Sequence, residues 1–380
     1  MNILIAIDSF KGSLSTNDLA SAIEEGINEV SLTHLIKKIP IADGGEGTCE
    51  TLISGLGGKK VKVVVKNPLF QLIEAEYGIL ENNTAIIEMA KSSGLTLIPE
   101  ELQNPMNTTT FGVGEMIKDA LSKGCREFII GIGGSATNDG GIGMLNALGF
   151  DFYDKDDNLL SPIGSSLLSI ARIDDSNVTE DVKTSKFLVA CDVDNPIYGL
   201  TGAAHVYGKQ KGASKEEIHL LDQGLRNFTK IIFETFKKDI STIKGAGAAG
   251  GLGGGFKGFL NSVLRPGIDI IFDSLHLERY IEECDIVITG EGKLDFQTVM
   301  GKAPIGIAKL ASKHNKPVIA IAGSVGDDAY NAHKYGVTSM FSIMDGPMSL
   351  DQAMDHDNTY RMVKKKVNEL IRLIDAFHNW

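Results

Sequence analysis

The residues best suited to chemistry lie in GIGGSATNDGG, residues 131–141. Glycines let a backbone turn sharply and present its N–H groups, and at a helix start such groups favour an anion. Gly133 and Gly134 supply that backbone, while Ser135, Thr137 and Asn138 add neutral hydrogen-bonding side chains. Asp139 offers a hard oxygen of the kind Mg2+ takes alongside substrate phosphate. The segment therefore predicts a phosphate and metal site. Residues 131–136 also fit a dinucleotide turn, G-x-G-x-x-A, with Asp151 about where a ribose-binding acid would stand, but the polar SATND run is foreign to that turn.

Charged loops form a second set. DSFKGS carries Asp8 and Lys11, ADGGEGT carries Asp43, and TGEGKLD carries Glu291, Lys293 and Asp295. A further acid, Asp192, opens CDVDNP, and the basic glycine segment GKQKGA follows it; together they suit a base and an anion clamp, or else an Asx-type turn and a solvated loop. A second glycine run, residues 245–255, fits either ligand contact or close helix packing. No Walker A ending in Gly-Lys-Ser/Thr occurs, no GxSxG or HExxH is present, and the histidines are scattered.

These loops need elements to hold them, and the apolar runs supply candidates. Residues 2–7, 36–41, 285–289, 317–322 and 339–343 read as buried parallel strands separated by helices, the first helix capped by Ser15 or Thr16 with Leu19, Ala22, Ile23 and Ile27 on one face. Five such strands make a flavodoxin-like α/β layer. DSFKGS, ADGGEGT and TGEGKLD then fall at carboxyl strand ends, where open α/β sheets bind ligands. Between the two ends the grammar changes. Residues 61–66 and 73–79 alternate as a hairpin, and 85–89, 127–131 and 187–191 add strands of a mixed sheet. The expected organisation is a discontinuous flavodoxin-like domain, residues 1–60 plus 275–380, with a mixed-sheet α/β domain, residues 61–274, inserted into it. Residues 360–377 read as an amphipathic helix with a basic outer face, Lys364 to Lys366, that is solvated.

Composition narrows the function. At 380 residues, 43% of them hydrophobic, the chain can fill two cores. A formal net charge of −12 repels nucleic acid and anionic membranes, so a phosphate-bearing ligand must be held by local donors. The four cysteines form no CxxC pair and read as reduced thiols of a cytoplasmic protein. The first apolar run is too short for a signal peptide, and no later run is long enough to span a membrane. Nothing in the pattern decides the oligomeric state, and a homo-oligomer is allowed.

Taken in order, DSFKGSLS, ADGGEGT, GIGGSATNDGG, GAGAAGGLG and TGEGKLDFQT resemble the bacterial-type (type 1) glycerate kinase family, and the likeness runs nearly the whole chain. The resemblance implies transfer of the γ-phosphoryl group of ATP to D-glycerate with Mg2+, in a cleft between the two domains. It further implies nucleotide contacts from Gly133, Gly134, Ser135, Thr137, Asn138, Glu291 and Asp295, with Asp139 as the metal ligand. On the acceptor side Asp192 is the expected base, with Asp43 as the alternative or a metal-shell ligand. Lys11 and Lys293 are the expected cations for the substrate carboxylate and the moving phosphoryl group. The resemblance favours 2-phosphoglycerate as product over 3-phosphoglycerate. Two other readings stand beside it: a nicotinamide-dependent hydroxy-acid dehydrogenase, suggested by the GxGxx(G/A) matches, and a sugar-acid-binding protein without turnover.

Overall fold

The computed structural model describes residues 1–42, 45, 47–295 and 302–378. The chain separates into two compact units, Met1–Asp43 with Ile271–Trp380 and Gly44–Ile270.

In the first unit the strands Ser339–Ser342, Val318–Val325, Ile286–Leu294, Asn2–Ile7 and Leu35–Pro40 lie side by side in that order, every neighbouring pair parallel. Numbered along the unit, this is the flavodoxin order 2-1-3-4-5. Ile3, Ile5 and Ile7 are buried with Leu19, Ala22, Ile23 and Ile27 of the Thr16–Asn28 helix. Ser15 starts that helix, its hydroxyl accepting the Asp18 N–H at 3.1 Å. Met362, Val363, Val367 and Ile371, from the His356–His378 helix, complete the same core. Lys364 on that helix faces outward, paired with Glu29 at 2.8 Å and Glu25 at 3.3 Å.

One strand is longer than the sequence suggests. The GEGK segment continues Ile286–Leu294 rather than leaving it, because Val318–Val325 extends alongside and pairs Glu291 with Ala322 and Lys293 with Ser324. The ladder partner gives the backbone N–H and C=O groups somewhere to go, which a polar composition alone does not reveal.

The second unit holds a six-stranded mixed sheet in the order Ser262–Arg265, Lys186–Ala190, Glu127–Gly131, Thr84–Glu88, Leu72–Leu80, Gly58–Lys66. The first four strands are parallel, and Leu72–Leu80 runs antiparallel to both its neighbours. The hairpin turns at Asn67, whose Oδ1 accepts the N–H groups of Leu69 and Gln71 at 2.9 and 3.0 Å. Thr48–Leu56 and Gly58–Lys66 lie in this unit. The strand Ser262–Arg265 and the small pair Asp151–Tyr153 and Arg172–Asp174 are short, and periodicity does not find them. Phe128 and Phe187 stack with ring centroids 4.8 Å apart in the core. The long Lys215–Phe236 helix, closed by the Ser214–Glu217 capping box, packs Leu225 and Phe228 into that core.

Candidate functional site

The 131–141 segment leaves the Glu127–Gly131 strand and is tied at once to the chain at 89–95. Met89 N donates to the Gly131 carbonyl at 2.8 Å, Leu95 N to Gly134 at 2.9 Å, and Ala136 N to Ser93 at 3.0 Å. Those bonds leave Gly133 and Gly134 as an exposed turn, with Gly134 at φ +75°, while Ser135 to Gly140 are buried.

Asp139 lies at the centre of the buried part. Its Oδ2 accepts Thr110 N at 2.8 Å, Thr110 Oγ1 at 2.7 Å and Gly143 N at 3.2 Å, and its Oδ1 accepts Gly141 N at 3.0 Å. The N–H groups at the start of Ile142–Ala147, where an incoming phosphate is expected from the sequence, are already bound: Gly141 N and Gly143 N to the Asp139 carboxylate, Ile142 N to the Asp139 carbonyl and Met144 N to Thr110 Oγ1. Burial pushes the Asp139 carboxyl up from its ordinary range, against the donors that favour the charged form. The side chain is fully enclosed, so a Mg2+ ion would have to displace these donors to reach it. Asp139 thus does not fit the metal-ligand role expected of it; its contacts make it the anchor of the loop.

The second glycine run explains how the loop is backed. Gly250, at φ +67°, stands where a Cβ would strike the Thr137 carbonyl oxygen, and its own carbonyl accepts Gly140 N at 3.0 Å. Residues 245–255 serve backbone-on-backbone packing here, the second of the two readings given for them.

Lys211 is the cation that sequence reasoning left out of the site. Its Nζ donates to Ser135 Oγ at 2.6 Å and to the Thr137 carbonyl at 2.7 Å, and the residue is almost wholly buried. Burial pulls its pKa down to about 7, with the nearby Asp139 charge opposing the shift. The signal was the GKQKGA segment itself, where nothing separates the buried Lys211 from the exposed Lys209. Thr137 Oγ1 and both polar atoms of the Asn138 side chain are buried with no hydrogen-bond partner among the described residues.

Asp192 is exposed in the same unit, its Oδ1 accepting Gly267 N at 2.9 Å. Asp151 accepts the side-chain amides of Asn146 and Asn177, each at 3.2 Å, which occupies the acid that a dinucleotide reading would turn toward a ribose.

The first unit gathers Lys11, Glu291, Lys293 and Asp295 around one cavity of about 690 Å³ at the carboxyl edge of the parallel sheet. Lys293 pairs with Asp295 at 3.3 Å, and Lys302, which sequence reasoning missed, pairs with Glu291 at 3.1 Å. Asp8, the other acid at this edge, accepts Ser9 N at 2.6 Å. Asp43 lies outside the described residues. Among the described residues no group of three or more His, Cys, Asp or Glu side chains is arranged to hold a metal ion.

Comparison with known proteins gives the family. The glycerate kinase family model matches residues 3–375. The chain is 45% identical over 358 residues to a glycerate kinase of Halalkalibacterium halodurans, covering 94% of each chain. It is 44% identical over 364 residues to the glycerate 2-kinase of Escherichia coli K12, covering 95% of this chain and 96% of that one. A solved structure from Salmonella typhimurium LT2 superposes with a TM-score of 0.92 over the whole of both chains at 41% identity. None of these likenesses supports a nicotinamide-dependent dehydrogenase, and with Asp151 engaged elsewhere that reading is set aside. The chain belongs to the glycerate kinase family.

Proposed function

We propose that this protein transfers the γ-phosphoryl group of ATP to the 2-hydroxyl of D-glycerate, giving 2-phosphoglycerate, with Mg2+ as the counter-ion of the nucleotide. The observation that carries the reading is the full-length likeness to proteins named as glycerate kinases, with the position taken from the glycerate 2-kinase of E. coli. A binding protein without turnover has no counterpart among them.

Phosphoryl transfer asks a protein to align donor and acceptor and to neutralise charge on the moving group. Lys11 and Lys293 take the second task in this reading, joined by Lys302. The exposed Gly133-Gly134 turn contributes backbone N–H groups, and Ser135, Thr137 and Asn138 stand behind it. Buried polar groups are rarely left unpaired, which favours a ligand or ordered solvent for the Thr137 and Asn138 side chains. Glu291 and Asp295 hold the lysines in place and face the nucleotide side. Asp192 is assigned the acceptor hydroxyl proton, with Asp43 as the alternative. The two compact units are read as two domains, one inserted in the other.

No described helix is long and apolar enough to cross a membrane; a cytoplasmic location is part of the proposal. The reading is tested by ADP release from ATP and Mg2+ in a coupled assay with and without D-glycerate. Release that does not depend on glycerate would refute it.

A further inference from the structure

The cavity at the sheet edge of the first unit is lined by two unlike sets of residues. One comprises the lysines and carboxylates described above. The other is apolar and rich in sulfur, formed by Phe10, Ile343, Met344, Met348, Leu350 and Met354. Two of these side chains face water to an unusual degree, Leu350 at 72% and Met354 at 37% exposure. A lining that joins these apolar side chains to three lysines and to the carboxylates of Asp8, Glu291 and Asp295 suits an amphipathic ligand rather than a solvated surface.

Its place in the fold points the same way. The cavity opens beyond the carboxyl ends of Asn2–Ile7 and Ile286–Leu294, adjacent strands at the point where the 2-1-3-4-5 order reverses. Connections leave toward opposite faces there and a crevice results. The Leu350–Met354 helix, capped by Ser349 and Gln352, brings its methionine close enough that a Cβ on Gly12 would lie 2.8 Å from Met354 Cε. Ser13 and Thr359 hydroxyls, 2.7 Å apart, tie the loop after the first strand to the helix that follows.

D-Glycerate does not match such a site. Every carbon of the acid carries oxygen, so it has nothing to set against the methionines, and about 690 Å³ is far more room than three carbons fill. A nucleoside triphosphate matches both halves. Its base is a flat, weakly polar ring for which flexible thioether side chains make adaptable contacts, and its phosphates suit a cluster of lysines. We propose that this cavity is the nucleoside-binding site, with the base against Met344, Met348, Leu350 and Met354 and the phosphates toward Lys11, Lys293 and Lys302. The inference rests on the kinase reading above and adds to it which residues receive the base.

The test is photolabelling of the wild-type protein with 8-azido-ATP, followed by peptide mapping. Label is expected in the segment 343–354 and is expected to be lost with excess ATP. Label confined to other segments overturns the assignment. In a second measurement, Ala353→Phe, which fills the cavity from its lining, should raise the calorimetric Kd for ATP by roughly tenfold or more, while the KM for D-glycerate at saturating ATP stays within about twofold. An unchanged Kd for ATP overturns the proposal, and if the variant fails to fold, the wild-type label decides. The two readings fail separately. Label in 343–354 without phosphoglycerate formation leaves the nucleotide site standing and removes the kinase reading; turnover with label elsewhere does the reverse.

Discussion

Lys211 donates through Nζ to Ser135 Oγ at 2.6 Å, so a buried ammonium holds the 131–141 segment against the turn at Lys209–Lys211. Burial lowers its pKa from 10.5 to about 7. Between those values the unfolded chain holds more protons than the folded one, so stability rises with pH across that window, by at most about 1.4 kcal/mol per unit. Below about pH 7 both states are protonated and the full cost of burying the charge is present. Lys211→Met should flatten the rise, as measured by urea midpoints at about pH 7 and about pH 9. A rise of the same size in the variant would assign it to another group.

Asp139→Asn should cost roughly 2–4 kcal/mol of stability, because an amide NH2 would face donors that now converge on a carboxylate. Urea denaturation measures this directly. A variant of wild-type stability that has lost only its response to Mg2+ would restore the metal-ligand role.

Gly250→Ala and Gly133→Ala should separate packing from ligand contact. The first puts a Cβ against the Thr137 carbonyl at φ +67° and should destabilise by more than about 1 kcal/mol. The second has open space around it, so its stability should stay within about 0.5 kcal/mol while the KM for ATP rises. Equal stability losses in both would contradict the division.

Asp192→Asn should lower kcat by about 10²- to 10⁴-fold with little change in folding, the usual contribution of general-base assistance. Near-normal kcat would move the role to Asp43. Lys11→Ala should shift at least one kinetic constant for D-glycerate by more than about twofold.

Much of the frame was legible because local rules and global packing agree. The Ser15 cap, the Leu19–Ile23–Ile27 face and the apolar runs of the parallel sheet all point to one layer. The hairpin around Asn67 was visible in its alternation. What the sequence hid depends on partners far along the chain. GEGK is strand rather than loop only because Val318–Val325 runs on beside it. The helix start after the glycine loop looks open to phosphate until Asp139 is seen to fill it, and Lys211 looks like its solvated neighbour Lys209 until Ser135 is found against it. Lys302 stands eleven residues past Glu291, and the folded sheet edge is what brings the two together.

The central claim is tested most directly by identifying the product. Purified protein incubated with ATP, Mg2+ and D-glycerate should show, by ³¹P NMR, the resonance of 2-phosphoglycerate growing in step with ADP. A 3-phosphoglycerate resonance would contradict the assigned position, and no phosphoglycerate from folded protein would contradict the kinase itself.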